Sequence, residues 1–533
     1  MSHLSTTSSP KPLVRLVGAI LAAVALVLLG AAAPSAPQAG AAPDRHGQPN
    51  IVVIQTDDQP LSTFSERTMP RTFELLGEDG GTRLSQYSTT TPNCCPSRAS
   101  LLTGQYAHNH GITSNHLGYP ELKRKNSVLP VWLKRAGYRT AHVGKFMNRY
   151  GKFVEELTDV APGWDEWYAL LSQKYYDYEM SFNGRLAKFG GRDRDYIGRT
   201  ITSKSVKVLR DGLRRDKPVF LYTNYYSPHV SGRVPSDDRC DNAAIPDPRD
   251  YDLFVDEPLP GKASFNEQDV EDKPSFIRRL PRLGRERIED IRRQHGCALA
   301  AMRGVDRGVE KIIEQVRRSG EMRKTAFFLV SDNGVFAGEH RLPGKKQEAY
   351  EEGVRVPFLA RMPREDRGGP AVSAAPAANI DLAPTILDLA RADSCVTARR
   401  CRVMDGRSLL PLLSGTGGLP ANRELVLEFD LGKDRSQRGS TCDFSGIRTT
   451  DYTYVEHDRA VLDIDSKACE RIDEREHYNL NADPQQLQNL AAKPVPPPER
   501  ERLRELHDRL RELRHCHGIK GRDPRPNSGV FCE

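Results

Sequence analysis

What the sequence lacks narrows the field first. Its ten cysteines include no Cys-x-x-Cys pair with zinc spacing, so the common structural zinc sites are out. Aromatic residues make up 7% of the chain. None interleaves with the Arg-rich stretches 278–293 and 499–514, which mix with Glu and Asp instead, so no nucleic-acid surface is expected. No internal repeat is visible. Charge of one sign is missing too: 78 Lys and Arg against 71 Asp and Glu leave +7 over 533 residues. That balance suits anionic ligands, but ordinary solvated charge explains it equally. Apart from Leu16–Ala33 there is no long apolar run, so no stable membrane partner is expected beyond that segment.

What is present reads as a globular protein with a leader. Lys11 and Arg15 precede the apolar run, and Ala39-Gly40-Ala41 forms an A-x-A site, so residues 1–41 read as a signal peptide. The run is also long enough to stay as an anchor, although its processing-like flank favours cleavage. The expected location is secreted or extracytoplasmic. A chain of this length exceeds one ordinary core. We expect a catalytic domain over 42–413, a linker at Ser414–Pro420, and a smaller C-terminal α+β part over 414–533.

Apolar β-branched runs alternate with helical patterns. Strands are expected at Asn50–Ile54, Arg83–Tyr87, Gly137–Gly144, Pro218–Thr223, Thr325–Ser331 and Val356–Arg361. Helices are expected at Met69–Glu78, Val128–Ala136, Val206–Arg214 and Leu382–Arg391. A long helix over Arg285–Arg318 has Gly304 and Gly308 as places to break, and 231–283 reads as an irregular insertion at the rim of a site. This order argues for an α/β fold, a mostly parallel sheet with helices on both faces. Beyond the linker come strands at Glu424–Phe429 and Thr453–Glu456. A helix over Pro498–His515 follows, with Leu503, Leu506, Leu510 and Leu513 on one face, packed on the small sheet. It has too few heptads for a coiled coil.

Polar clusters recur where apolar strands end: Asp57-Asp58, Lys145, His229 and Asp332-Asn333. The carboxyl edge of such a sheet is where ligands sit. Three carboxylates and an amide form a hard oxygen set suited to Ca²⁺ or Mg²⁺ rather than zinc. In Cys94-Cys95-Pro96-Ser97-Arg98, Pro96 suits a first helical turn running on to about Thr103. The helix start directs N–H groups and a positive dipole at whatever residue 94 holds, which favours an anion.

The C-x-P-S-R stretch followed by A-S-L-L-T-G closely resembles the signature of the formylglycine-dependent sulfatase family. So do Gly144-Lys145, Ser227-Pro228-His229, GEHRLPGKKQEAYEEGVRVP and HYNLNADPQQLQNL. Within the family, CCPSRASLLTGQYAHNH and HRLP…K…YEE are most similar to N-acetylglucosamine-6-sulfatases and bacterial arylsulfatase-like members. The resemblance implies an alkaline-phosphatase-like fold and Cys94 oxidised to formylglycine by a formylglycine-generating enzyme. It also implies one Ca²⁺ held by Asp57, Asp58, Asp332, Asn333 and residue 94, and a sulfated small molecule or glycan as substrate. Arg98 would steady the nucleophile, Asp332 would accept its proton, and Lys145 and Lys346 would hold sulfuryl oxygens. His229 would protonate the departing alcohol. Counted back from Tyr350-Glu351-Glu352, the family lysine falls on Lys346 rather than Lys345. One position departs: many members carry a histidine where this chain has Met147, and His340 is the candidate to assist sulfate elimination instead. Competing readings are a phosphomonoester or phosphonate-ester hydrolase on the same scaffold, and a non-catalytic binder of sulfated glycans.

With Cys94 modified and Cys95 buried, eight cysteines remain, an even number suited to an oxidising compartment. Pairing them by proximity gives 240–297, 395–401, 442–469 and 516–532, one of many connectivities.

Overall fold

The strand β1, Asn50–Asp57, is buried along its whole length. Its side chains alternate between two cores: Ile51 and Val53 enter one apolar cluster, Val52 and Ile54 the other. A strand apolar on both sides needs cover on both faces, the condition of a parallel sheet clad in helices. The computed structural model describes residues 47–78, 80–151, 159–231, 239–397, 400–432, 441–462 and 468–533. The expected leader over 1–41 and part of the 231–283 insertion lie outside these residues.

β1 sits inside a ten-stranded sheet. Its companions are β2 (Arg139–Gly144), β3 (Glu166–Leu170), β4 (Val219–Pro228) and β5 (Thr325–Ser331). In the order β5-β1-β4-β2-β3 all are parallel. Antiparallel strands extend both sides: Phe358–Arg361 beside β5, and Glu179–Phe182 beside β3. Register then does the positioning. Asp57 lies opposite Pro228, Thr56 opposite Ser331, and Gly144 opposite Asn224. The carboxyl ends of β1, β2, β4 and β5 therefore meet along one line.

Helix α1 (Cys94–Thr103) is buried at every residue, Arg98 included, and ends at Gly104 in the left-handed conformation that favours glycine. Helices α2 (Ile197–Gly212) and α3 (Arg285–Arg318) cover one sheet face, whereas α4 (Leu382–Leu389) and α1 cover the other. The expected break in α3 is absent: the helix is continuous for 34 residues. Gly308 serves close packing instead. A methyl group at Gly308 would lie 2.2 Å from the Tyr225 hydroxyl and 2.6 Å from Thr202 Oγ1.

The second sheet is a four-stranded antiparallel meander, β6 (Leu425–Asp430), β7 (Thr441–Arg448), β8 (Tyr452–Val461) and β9 (Cys469–Asn479). Sequence reading found β6 and β8 but missed the others. TCDFSGIR mixes turn-formers with apolar residues, and CERIDEREHYN is a charged, half-exposed edge strand without alternation. Helix α5 (Pro497–Leu513) packs its four expected leucines against Leu425, Val426, Ile447 and Tyr454. All four expected disulfides are present, and Cys94 and Cys95 are free and buried. Among the described residues no helix is long and apolar enough to cross a membrane.

The segment after α1 is fastened to the second sheet. The Val426 N–H donates to the Tyr106 hydroxyl (3.2 Å), and the Tyr106 N–H donates to Asp405 (2.8 Å). His108 donates from Nδ1 to Glu428 (2.8 Å) and from Nε2 to the Cys516 carbonyl (3.0 Å). Both partners only accept, so this imidazole holds two protons. Burial would lower its pKa, but Glu428, Asp405 and the Cys516 carbonyl together push it up to about 9.

Candidate active site

Cys94 is the first residue of α1, and its Sγ lies 3.4 Å from Asp57 Oδ1, 3.7 Å from Asp58 Oδ1 and 3.0 Å from Lys346 Nζ. Ligand atoms of Asp57, Asp58, Cys94 and His229 all fall within 4.8 Å of one another. Lys145, which follows directly on β2, donates to Asp57 Oδ2. Gly144 makes that approach possible. Its φ is +104°, and a Cβ there would stand 1.9 Å from the Asn224 carbonyl oxygen.

Asp332 and Asn333 follow β5 and tie into the group by hydrogen bonds. Asp332 Oδ1 accepts from the Asp58 N–H (3.0 Å), which Asp58 presents from a left-handed backbone (φ +61°). Asp332 Oδ2 accepts from Arg98 Nε (2.9 Å), and Arg98 Nη2 stands 2.8 Å from the same oxygen as an ion pair without a hydrogen bond of its own. The remaining Arg98 arm donates to the Lys145 carbonyl and to Asn224 Oδ1, each at 2.9 Å. Asn333 Nδ2 meets Asp58 Oδ1 at 2.6 Å, leaving its own Oδ1 buried without a partner. His229 Nδ1 donates to the Val230 carbonyl (2.7 Å), which leaves Nε2 bare, 3.5 Å from Asp58 Oδ2.

Three carboxylates thus interlock with three cations almost out of water. Only Lys346 and His229 keep appreciable side-chain exposure, 17% and 18%, and they mark the mouth. Burial alone would raise the Asp58 carboxyl, but Lys346, His229 and Lys145 together hold it well below the usual range. Burial wins at Asp332, pushed up to about 6 despite Arg98. It also drives His229 down to about 3, aided by Lys145 and Lys346 and opposed by Asp58, so the free imidazole is neutral. Burial raises the Cys94 thiol far above its ordinary value, with Lys145 and Lys346 opposing. A thiol held protonated is a poor nucleophile.

Nine of the ten residues singled out in the sequence therefore meet in one place. His340 is engaged with other partners. Its Nδ1 bonds Glu267 (2.7 Å), its ring stacks on Tyr350 at 4.1 Å, and its Nε2 lies 3.9 Å from Glu352. Met147 is buried in an apolar cluster and offers no proton. Sequence reading missed Asn224, which anchors Arg98, and Tyr226, whose ring stacks on His229 at 4.9 Å and lies under Lys145 at 5.8 Å. Both belong to the Asn224–His229 run that ends β4, so strand-end position was the signal available.

The sequence pattern of the Sulfatase family matches residues 49–392, and that of "N-sulphoglucosamine sulphohydrolase, C-terminal" matches 338–516. The chain is 31% identical to human N-acetylglucosamine-6-sulfatase over 517 residues, covering 91% of this chain and 87% of that one. It is 32% identical to an arylsulfatase of Volvox carteri, covering 88% and 74%. A structure solved in complex with its substrate D-glucosamine-2-N,6-O-disulfate superimposes with a TM-score of 0.68 at 23% identity, covering 87% of this chain and 97% of that chain. The fold is that of the alkaline-phosphatase-like sulfatases, as the resemblance implied. On the family match and these relatives, the chain belongs to the sulfatase family and is a sulfuric ester hydrolase.

Proposed function

We propose that this sulfatase hydrolyses sulfate monoesters of sugars, of the N-acetylglucosamine-6-sulfate kind, with residue 94 as formylglycine beside one calcium ion. The observation that carries the reading is the convergence of Asp57, Asp58 and Lys346 on Cys94 Sγ at 3.0–3.7 Å. A thiol so buried and so firmly protonated is chemically idle, which favours its conversion to another nucleophile. The sugar reading is supported by the human relative and by the ligand of the superimposed structure. Maturation would require a formylglycine-generating enzyme, and four disulfides support an extracytoplasmic location.

The donor set fits a hard cation. Asp57, Asp58, Asp332 and Asn333 would hold it, and the orphaned Asn333 Oδ1 fits too: turning that amide would present an oxygen. When bound, the ion supplies positive charge at the reacting oxygens and the hydrated aldehyde supplies an oxygen nucleophile. The protein's own groups do the rest. Lys346 and Lys145 place ammonium groups at the anionic ester, where charge gathers as the S–O bond breaks. Arg98 fixes Asp332 through Nε while its Nη1 is held by the Lys145 carbonyl and Asn224, so the Asp332 carboxylate is kept in place as the proton acceptor. His229 Nε2 faces the mouth as proton donor to the departing alcohol. It gains that proton only as the anionic ester arrives, since the free imidazole is neutral.

The test has two arms. Mass spectrometry of the residue-94 peptide from the native host should show an aldehyde, and Cys94→Ala should abolish sulfate release. Calcium should raise the thermal midpoint of the Cys94→Ala protein, by roughly 3 kcal/mol of stability at a hundredfold excess over Kd. An unmodified thiol in active enzyme, or faster turnover of aryl phosphate than aryl sulfate, overturns the proposal.

A further inference from the structure

A groove of about 580 Å³ runs between α2 and α3, sharing no lining residue with the Cys94 cluster. Pockets of this volume hold ligands of several rings. Seven Lys or Arg side chains line it against two carboxylates, Asp247 and Glu314. Some of the cations are committed. Arg199 forks onto Asp247 at 2.7 and 2.6 Å, and Arg307 onto Asp250 at 2.6 and 2.5 Å, which stitches the insertion loop to both helices. Lys207 and Arg210 share the single carboxylate of Asp211, and Arg318 takes Glu314. Arg249 and Lys311 are exposed, with no ion pair among the described residues. The wall charge is therefore not cancelled from within, and exposed pairs of this kind contribute little to stability.

Topology connects the groove to the active site. α2 precedes β4, so its first turn lies at the carboxyl edge of the sheet and its last turn at the opposite edge. α3 precedes β5 in the same sense. Between Arg199 and Arg210 the groove extends on the order of 16 Å down the helices. Its upper end is lined by Tyr196, whose ring stacks on Tyr175 at 5.9 Å, and the Tyr175 hydroxyl donates to the His229 carbonyl at 2.8 Å. Two buried tyrosines thus link the upper end of the groove to the backbone of His229.

We propose that this cationic groove is a second binding site, a rail that holds the chain of a sulfated glycan while one of its sulfates reacts at the Cys94 cluster. The inference rests on the sugar-sulfate reading above. Repeated anionic groups along a saccharide match repeated cations along two helices. Tyr196 is the one aromatic residue in the lining, and it is buried, so the groove offers no platform for nucleic-acid bases.

The experiment uses the full chain and fluorescently labelled dextran sulfate oligomers in an anisotropy titration. A Lys207→Glu, Arg210→Glu, Lys311→Glu variant should bind on the order of tenfold more weakly and lose much of the salt dependence. Its kcat/KM on 4-nitrophenyl sulfate should stay at the parent value, which also certifies its fold. Its KM on a polymeric sulfated glycan should rise with kcat unchanged. Cys94→Ala should bind the oligomers like the parent. Unchanged oligomer affinity in the charge-reversed variant overturns the proposal, and so does single-stranded DNA of equal charge binding as tightly as dextran sulfate. A parent enzyme inactive on every sulfate ester would refute the proposed function alone, because the binding titration is read without turnover.

Discussion

Glu348 offers a sharp test of the electrostatics, because its effect runs opposite to that of most carboxylates. It is fully buried: Oε1 accepts from the Thr441 N–H at 3.1 Å, and Oε2 has no partner. Burial is the main cause that lifts its pKa from 4.5 to about 8, with Glu476 adding to it and His457, the Thr441 N–H and Lys345 opposing. Below pH 4.5 the folded and unfolded chains both hold the proton, and Glu348 makes no difference. Between 4.5 and about 8 the folded state binds the extra proton, so stability falls as pH rises, and above 8 the loss is complete. At about 1.4 kcal/mol per pH unit the interval amounts to roughly 5 kcal/mol. Glu348→Gln keeps the acceptor for Thr441 and removes the titration. Its new NH₂ carries a pH-independent cost of about 1–3 kcal/mol if it stays unpaired. Denaturant unfolding of both proteins at pH 5, 6.5 and 8 should therefore show the variant gaining on the parent by several kcal/mol across that range. A difference that stays constant with pH would refute the reasoning.

Two further outcomes follow from other parts of the structure. At His108 the sign reverses: its pKa is raised from 6.5 to about 9, so its contribution is complete below 6.5 and vanishes as pH rises through 9. His108→Gln should cost roughly 3 kcal/mol of unfolding free energy at pH 6 and little at pH 9.5, and equal costs at both would contradict the double-donor reading. His229→Ala should slow alkyl and sugar sulfates by about 10²–10³ while slowing 4-nitrophenyl sulfate much less, since a good leaving group does not need the proton. Equal slowing of both classes, measured by sulfate release, would remove His229 from the proton-donor role.

The sheet centre was legible because residues such as Ile51 to Ile54 are apolar without alternation, which admits only a strand covered on both sides. Strand ends then brought Asp57, Lys145, His229 and Asp332 into one group, since parallel strands share one carboxyl edge. The disulfides fell to the simplest pairing because each joins sequence neighbours. Less legible were features that depend on what lies across a gap. Gly308 looks like a helix breaker until Tyr225 is seen against it. The charged β9 carries no alternation because only Glu476 to Tyr478 are buried, while the residues before them are exposed or half-exposed on both faces. Asn224 and Tyr226 act only through Arg98, Lys145 and His229, so nothing in their own identity marks them.

The knot of hydrogen bonds around Tyr106 and His108 has a bearing on durability. The helix that presents residue 94 ends in a segment gripped by the Leu425–Asp430 strand and by the carbonyl of Cys516. The proposed nucleophile thus owes its steadiness to a part of the chain outside the cluster around it. Loosening that remote edge by heat or by a protease should therefore lower activity at the proposed site while the large sheet is still folded.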